Sequence, residues 1–215
     1  MSDLPQTVFV VDDDPSFLTS MSRWLKAFGY SVESYSSAME FLTQRPKQAR
    51  GCVITDLRMP GMGGMELQQA LAQSGNPLPI VFLTGHGDIP ASVQAMRSGA
   101  EDFLVKTAEK EEILDAIERA LARDILERHQ HQSQRELRQR FEQLTPRQNQ
   151  VLTHVLRGQL NKQIAAELGI DERSVKRHRA NMMKKLRVNS VAELARLAVE
   201  AGMSSESGEP GNTAI

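Results

Sequence analysis

Three aspartates, a threonine and a lysine stand where this sequence could do phosphorus chemistry. Asp12 and Asp13 follow the apolar run VFVV, Asp56 follows CVIT, Thr84 closes IVFLT and Lys106 follows FLV. Three carboxylates brought together repel one another unless a cation neutralises them, and a hard, oxygen-ligated ion such as Mg2+ suits that role. A carboxylate held against such an ion can attack phosphorus and become an aspartyl phosphate, while metal, ammonium and hydroxyl share the charge on the transferring oxygens. Asp56 is the candidate nucleophile. Each residue alone has a plainer account: Asp56 could begin the turn MPGMGG, Thr84 could be a strand residue and Lys106 a solvated charge. Asp14 before Pro15 fits a helix N-cap, an account not open to Asp12 and Asp13. Whether the five residues form one site depends on the elements that carry them.

Those elements are short. Apolar runs of strand length recur at 8–11, 52–55, 80–83 and 103–105, with a weaker one at 31–35. Between them lie stretches with helical spacing, such as Phe17, Met21, Leu25 and Phe28. Unbroken apolar strands alternating with helices predict a parallel sheet covered on both faces, a doubly wound α/β domain over residues 5–123. In that architecture the carboxyl ends of the strands border one crevice, so residues far apart in sequence converge there.

From Glu111 a helical pattern continues through Leu114, Ile117, Leu121 and Ile125, after which ERHQHQSQRELRQR offers only Leu137 as an apolar anchor. This predicts a solvated helical linker over 124–140. His129 and His131, two positions apart on a helix, point to different faces and make no metal site. Residues 141–203 are predicted to be an all-α domain. Thr145, Pro146 and Gln148 supply an N-cap, a first-turn proline and a capping-box partner for a helix ending near Gly158. A second helix over 161–168 stops at Gly169, and Asp171 caps the next one two residues later, which makes a tight helical corner. Ser190 and Glu193 open a last helix with Leu194, Leu197, Ala198 and Ala201 on one face. The tail SSESGEPGNTAI, residues 204–215, is predicted to be disordered.

On a helical wheel of about 100° per residue, Val175, Met182 and Leu186 fall within about 40° and mark the buried side of the helix over 172–186. Arg173, Arg177, Ala180 and Lys184 lie opposite, with Lys176 and Arg187 beside them. Such a cationic stripe on the second helix of a tight corner fits insertion into the major groove of double-stranded DNA. Arg173 and Arg177 are the candidates for reading bases, since arginine pairs bidentately with guanine. His178, about 60° from the buried direction, is either a phosphate contact or a packing residue. The charge distribution agrees: residues 1–124 carry 11 basic and 17 acidic side chains, residues 141–203 carry 11 and 6. The C-terminal part suits a polyanion that the N-terminal part would repel.

At 215 residues the chain has room for one larger and one smaller domain. Cys52 is the only cysteine, which excludes a disulfide framework or a cysteine-rich zinc site within one chain and fits a reducing compartment. The opening MSDLPQTVFVV has neither the basic segment nor the apolar length of a signal peptide or a spanning helix, so a cytoplasmic protein with no membrane partner is expected.

The segments VFVVDDD, DLRMPGMGG, LTGHGD and GAEDFLVK resemble the receiver domains of two-component response regulators of the NarL/FixJ class, over about residues 6–123. LTPRQNQVL and NKQIAAELGIDERSVKRHRANMMKKLRVNSVAELARLAVEAG resemble the LuxR-type helix-turn-helix. The resemblance implies a flavodoxin-like receiver with strand order 2-1-3-4-5 and a phosphorelay in which Asp56 accepts a phosphoryl group from a sensor histidine kinase. It implies that Asp12, Asp13, Asp56 and the backbone carbonyl of Arg58 hold Mg2+, and that Thr84 and Lys106 contact the phosphoryl group. In the implied switch Thr84 moves toward the phosphate and Phe103 turns inward, altering the face made by the fourth helix and fifth strand. Phe103 could equally be plain core. The family's VKxH motif carries over as Val175, Lys176 and His178, so Arg173, Lys176, Arg177, His178 and Lys184 make up the candidate DNA contacts. A phosphorylation-promoted homodimer would set two basic domains on two DNA half-sites, with RNA polymerase a further partner for a transcription regulator.

The sequence departs from the family at Thr107, where a proline normally follows the lysine after a cis peptide. A cis bond before a non-proline residue is disfavoured by about 2.5–4 kcal/mol, so either the bond is trans and the lysine shifts, or the fold absorbs the strain. The two glutamates usual after LTPR are Gln148 and Asn149 here. Two rival readings follow: a DNA-binding regulator whose receiver is a phosphate-independent dimerisation platform, and an aspartyl-phosphate hydrolase. The second calls for a DxDxT pattern that VDDDPS does not supply. The preferred reading is a regulator and not an enzyme, with slow self-dephosphorylation at most.

Overall fold

The structure, a computed structural model, describes residues 6–85 and 89–202. The tail at 204–215 and the stretch 86–88 of LTGHGD lie outside the described residues. The chain divides into two compact units after Arg128.

In the first unit β1 (Thr7–Val11), β2 (Ser31–Tyr35), β3 (Gly51–Thr55), β4 (Ile80–Thr84) and β5 (Asp102–Val105) form one parallel sheet in the order β2-β1-β3-β4-β5. Around it lie α1 (Pro15–Ala27), α2 (Ala38–Gln44), α3 (Gly64–Gln73), α4 (Ile89–Arg97) and the start of α5 (Lys110–Glu142). Every residue of β1, β3 and β4 is buried, which is why these strands are unbroken apolar runs with no alternation. Phe9, Val53 and Phe82 face a core with Phe41 of α2 and Leu67 and Leu71 of α3. Val8, Val10, Ile54 and Val81 face a second core with Leu25 of α1 and Ile113 and Ile117 of α5. Successive residues of one strand therefore serve opposite cores, as the pleat demands. The doubly wound α/β architecture and its strand order stand as the sequence and the resemblance led one to expect.

Burial also decides two details. Cys52 lies fully inside β3, where burial pushes its thiol pKa up and suppresses the reactive thiolate. Asp124, expected as the first residue of a solvated linker, is buried instead. Its Oδ2 accepts from the Gly51 N–H at 3.0 Å and its Oδ1 from Arg128 Nε at 2.8 Å, while Arg128 Nη2 donates to the Ala49 carbonyl at 2.6 Å. The packing of the first unit thus reaches Arg128. Spacing could not show this, because a lone acid in an amphipathic pattern looks solvated until its partners are known. His129 and His131 are exposed, as expected.

The second unit contains α6 (Pro146–Leu156), α7 (Asn161–Leu168), α8 (Glu172–Leu186) and α9 (Val191–Glu200), packed around Leu152, Ile164, Val175, Met182, Leu186 and Leu194. Leu137 and Phe141, from the end of α5, join this core. The capping box at Thr145 is complete in both directions. At α9 Ser190 accepts from the Glu193 N–H, but Glu193 Oε2 accepts from Asn189 N–H at 2.8 Å, one residue before the cap. No helix among the described residues is long and apolar enough to cross a membrane.

Candidate acidic site and basic helix

Strand pairing assembles the acidic site. The Asp56 N–H donates to the Val11 carbonyl and the Lys106 N–H to the Thr84 carbonyl, so the chain leaves β1 beside β3 and β4 beside β5 at one edge of the sheet. One carboxylate oxygen each of Asp12, Asp13 and Asp56 lie within 4.8 Å of one another. Asp14 takes no part: its side chain accepts from the Ser16 and Phe17 N–H groups and caps α1.

Lys106 is the counter-charge. Its Nζ stands 2.6 Å from Asp12 Oδ2 and 3.4 Å from Asp56 Oδ2. The ammonium is the close partner of the buried Asp12 Oδ2. Asp12 Oδ1 accepts from the Asp14 N–H, and Asp56 Oδ1 from the Leu57 N–H at 2.7 Å. All described peptide bonds are trans, Lys106–Thr107 included. With this trans bond the lysine reaches both carboxylates.

Burial raises the Asp12 pKa above the ordinary aspartate range, against the opposing pull of Lys106. For Lys106 burial pulls downward, but contact with Asp12 and the charges of Asp12 and Asp56 outweigh it and raise its pKa. One ammonium cannot balance three carboxylates. Three hard oxygen donors within 4.8 Å of one another and an excess of negative charge fit a divalent cation such as Mg2+.

Asp12→Asn tests this balance. The amide keeps an acceptor for the Asp14 N–H and removes a charge the pocket resists. Because the folded pKa of Asp12 lies above its unfolded one, the penalty is fully present above the folded value and is relieved as pH falls through it. In EDTA at neutral pH the variant is expected to unfold on the order of 2 °C above wild type, and it should lose the rise that Mg2+ gives wild type. A lower midpoint in EDTA would mean that pairing with Lys106 outweighs burial.

Thr84 is buried at the end of β4, and Arg58 sits exposed in the loop after β3. Phe103 is half-buried, its ring centroid 5.8 Å from that of Phe82, so it packs on the core here. Phe17 was not singled out for the site. Its ring centroid lies 4.2 Å from Lys106 Nζ, a cation–π contact that gives the lysine a third support. Nothing in the sequence distinguishes it from the other apolar residues of α1.

In the second unit Val175, Met182 and Leu186 of α8 are buried, while Arg173, Lys176, Arg177, Ala180 and Lys184 are exposed and His178 is half-buried. Lys176 pairs with Glu172 at 3.0 Å, an exposed i,i+4 pair weak enough to exchange for a phosphate. Two other cations of α8 serve the fold. Arg179 Nη1 donates to Asn161 Oδ1 at 2.7 Å, and Lys185 Nζ donates to the Gln143 carbonyl and to Gln148 Oε1, each at 3.0 Å. Gly169, in the left-handed conformation, ends α7, and Asp171 caps α8 through the Ser174 N–H, which forms the tight corner.

Comparison with known proteins follows the same division. Residues 8–118 match the response regulator receiver domain, and residues 142–198 match the luxR family of bacterial regulatory proteins. The response regulator protein TodT of Pseudomonas putida is 44% identical over 197 residues, which cover 92% of this chain and 87% of TodT. The transcriptional regulatory protein FixJ of Bradyrhizobium diazoefficiens is 38% identical, with 91% of this chain and 96% of FixJ covered. Among solved structures, that of the response regulator StyR superposes with a TM-score of 0.79 at 46% identity, covering 92% of this chain and all of that one.

Proposed function

This chain belongs to the response regulators of the NarL/FixJ class, DNA-binding transcription regulators that join a receiver to a LuxR-type helix-turn-helix, and we propose that it is switched by phosphorylation of Asp56. One observation carries the reading: Lys106 bridges Asp12 and Asp56 at the strand ends, with Asp13 within reach of both. Asp12, Asp13, Asp56 and the carbonyl of Arg58 would hold Mg2+, which neutralises charge on the entering phosphoryl group. An Asp56 carboxylate oxygen attacks phosphorus, a P–O bond forms, and the bond to the donor breaks with its electron pair leaving on the donor's nitrogen. Lys106, steadied by Phe17, and the Thr84 hydroxyl receive the new phosphoryl oxygens. The donor is a sensor histidine kinase, and the product is a phosphoprotein with at most slow self-dephosphorylation. The setting is the cytoplasm.

The domains run over 5–123 for the receiver, 124–140 for the linker and 141–203 for the DNA-binding part, with receiver packing carried on to Arg128. Arg173, Lys176, Arg177, His178 and Lys184 face DNA. Replacing Arg177 with Ala is expected to relax preference at one base position; an equal loss on every duplex would make it a phosphate contact. The same reading has Phe103 and Thr84 transmit phosphorylation to the α4–β5 face. That face supports a homodimer, since Ile89, Val93 and Met96 on α4 and Val105 on β5 are exposed. RNA polymerase is a further partner of the DNA-bound dimer.

Treating the protein with acetyl phosphate and Mg2+ tests the coupling. Sedimentation is expected to show a shift to dimer, and affinity for a selected operator should tighten at matched salt. Unchanged assembly and affinity in phosphorylated protein would leave the receiver as a dimerisation platform only.

A further inference from the structure

Among the described residues, six helices are followed within two positions by a residue in the left-handed conformation. Five of these are glycines: Gly29 after α1, Gly99 after α4, Gly158 after α6, Gly169 after α7 and Gly202 after α9. The sixth is Arg187 after α8, at φ 57° and ψ 45°, the one non-glycine residue with positive φ among those described. A Cβ in this region crowds the following carbonyl, so glycine, or failing that asparagine, is the residue a helix end selects.

The fold does not explain the arginine. The terminus is closed by the Val188 N–H donating to the Met183 carbonyl at 3.0 Å and by burial of Val188, neither of which uses the Arg187 side chain. That side chain is exposed and makes no hydrogen bond or ion pair among the described residues. A cation does favour the carbonyl end of a helix, but Lys184 and Lys185 already occupy the last turn of α8, and α7 ends without any basic residue there.

We propose that Arg187 is a DNA-phosphate anchor, kept despite its backbone conformation because it extends the cationic stripe of α8 beyond the end of the helix. The proposal rests on the reading that the basic face of α8 meets DNA. From Arg173 to Arg187 the helix advances about 21 Å, whereas the major groove is about 12 Å wide. A helix with its first turns on base edges carries its end out to the flanking backbone. A contact there adds affinity without sequence preference.

The test uses full-length Arg187→Gly, Arg187→Asn and Arg187→Lys, with Arg173→Ala/Arg177→Ala as a control. Thermal unfolding is paired with binding to a selected operator duplex and a scrambled duplex across a salt series. Gly and Asn are expected to raise the unfolding midpoint by about 2 °C. They should also weaken both duplexes roughly fivefold, and flatten the slope of log K against log salt by about 0.9 for each bound protomer. Lys keeps midpoint, affinity and slope near wild type. Unchanged affinity and slope in Gly and Asn, or a loss confined to the operator, overturns the proposal. A lowered midpoint in both does so as well, by making the arginine a structural residue. If the control pair also leaves binding unchanged, it is the reading of α8 that fails; if only the control weakens binding, Arg187 alone is wrongly assigned.

Discussion

Asp56→Asn should reduce phosphate incorporation from acetyl phosphate and Mg2+ to background, a loss on the order of 10³-fold or more, as expected when a nucleophile is removed. The amide is nearly isosteric, and its oxygen still accepts from the Leu57 N–H, which Asp56 Oδ1 meets at 2.7 Å. The fold should survive, and circular dichroism and thermal unfolding will check that. The amide nitrogen cannot attack phosphorus as the carboxylate does, and no other carboxylate occupies its place between Lys106 and the end of β3. The variant should then bind the operator equally before and after phosphodonor treatment. Label retained at wild-type level would move the nucleophile to Asp12 or Asp13. No label on wild type itself would favour the phosphate-independent platform.

Gly51→Ala is expected to unfold the first unit, or to destabilise it by more than about 4 kcal/mol, a large part of the 5–15 kcal/mol typical of a domain. Gly51 opens β3 at φ 127°, and a Cβ there would lie 1.9 Å from the Thr7 carbonyl oxygen and 2.7 Å from its nitrogen. These are backbone atoms of the neighbouring strand, paired in register with Gly51, and cannot swing aside. The Gly51 N–H also donates to buried Asp124, so displacing the strand would orphan a buried carboxylate oxygen. Gly75→Ala is the control: it is exposed and its Cβ would meet nothing within 4 Å. Denaturant midpoints will separate the two, and a Gly51→Ala protein that unfolds like wild type would mean that β1 and β3 do not pair in this register.

The two results bear on different ways in which the sequence encodes the protein. The strands were legible because β1, β3 and β4 are buried on both faces, which leaves short unbroken apolar runs alternating with stretches of helical spacing. The helical corner was legible because Thr145, Gly169, Asp171 and Ser190 act within a few residues of themselves. The acidic site was legible once strands were placed, since its members end strands and parallel strands end at one edge. The orientation of α8 was legible because three apolar residues on one side fix where the cations on the other must point.

What stayed hidden depends on partners distant in sequence. Phe17 became part of the site because β5 ends where the first turn of α1 passes, which the spacing of α1 does not record. The wheel leaves Arg179 and Lys185 outside the cationic stripe of α8, but their partners Asn161, Gln143 and Gln148 are seen only in the structure. Asp124 and Arg128 read as linker until Gly51, Ala49 and Asn76 were found around them. By itself the sequence determined the elements, their caps and the chemical kind of each site, because these follow from local backbone preference and from the periodicity of burial. Only the tertiary structure decided which of these charges the fold itself engages, because a charge is neutralised by whatever lies beside it in space, however far away that is along the chain.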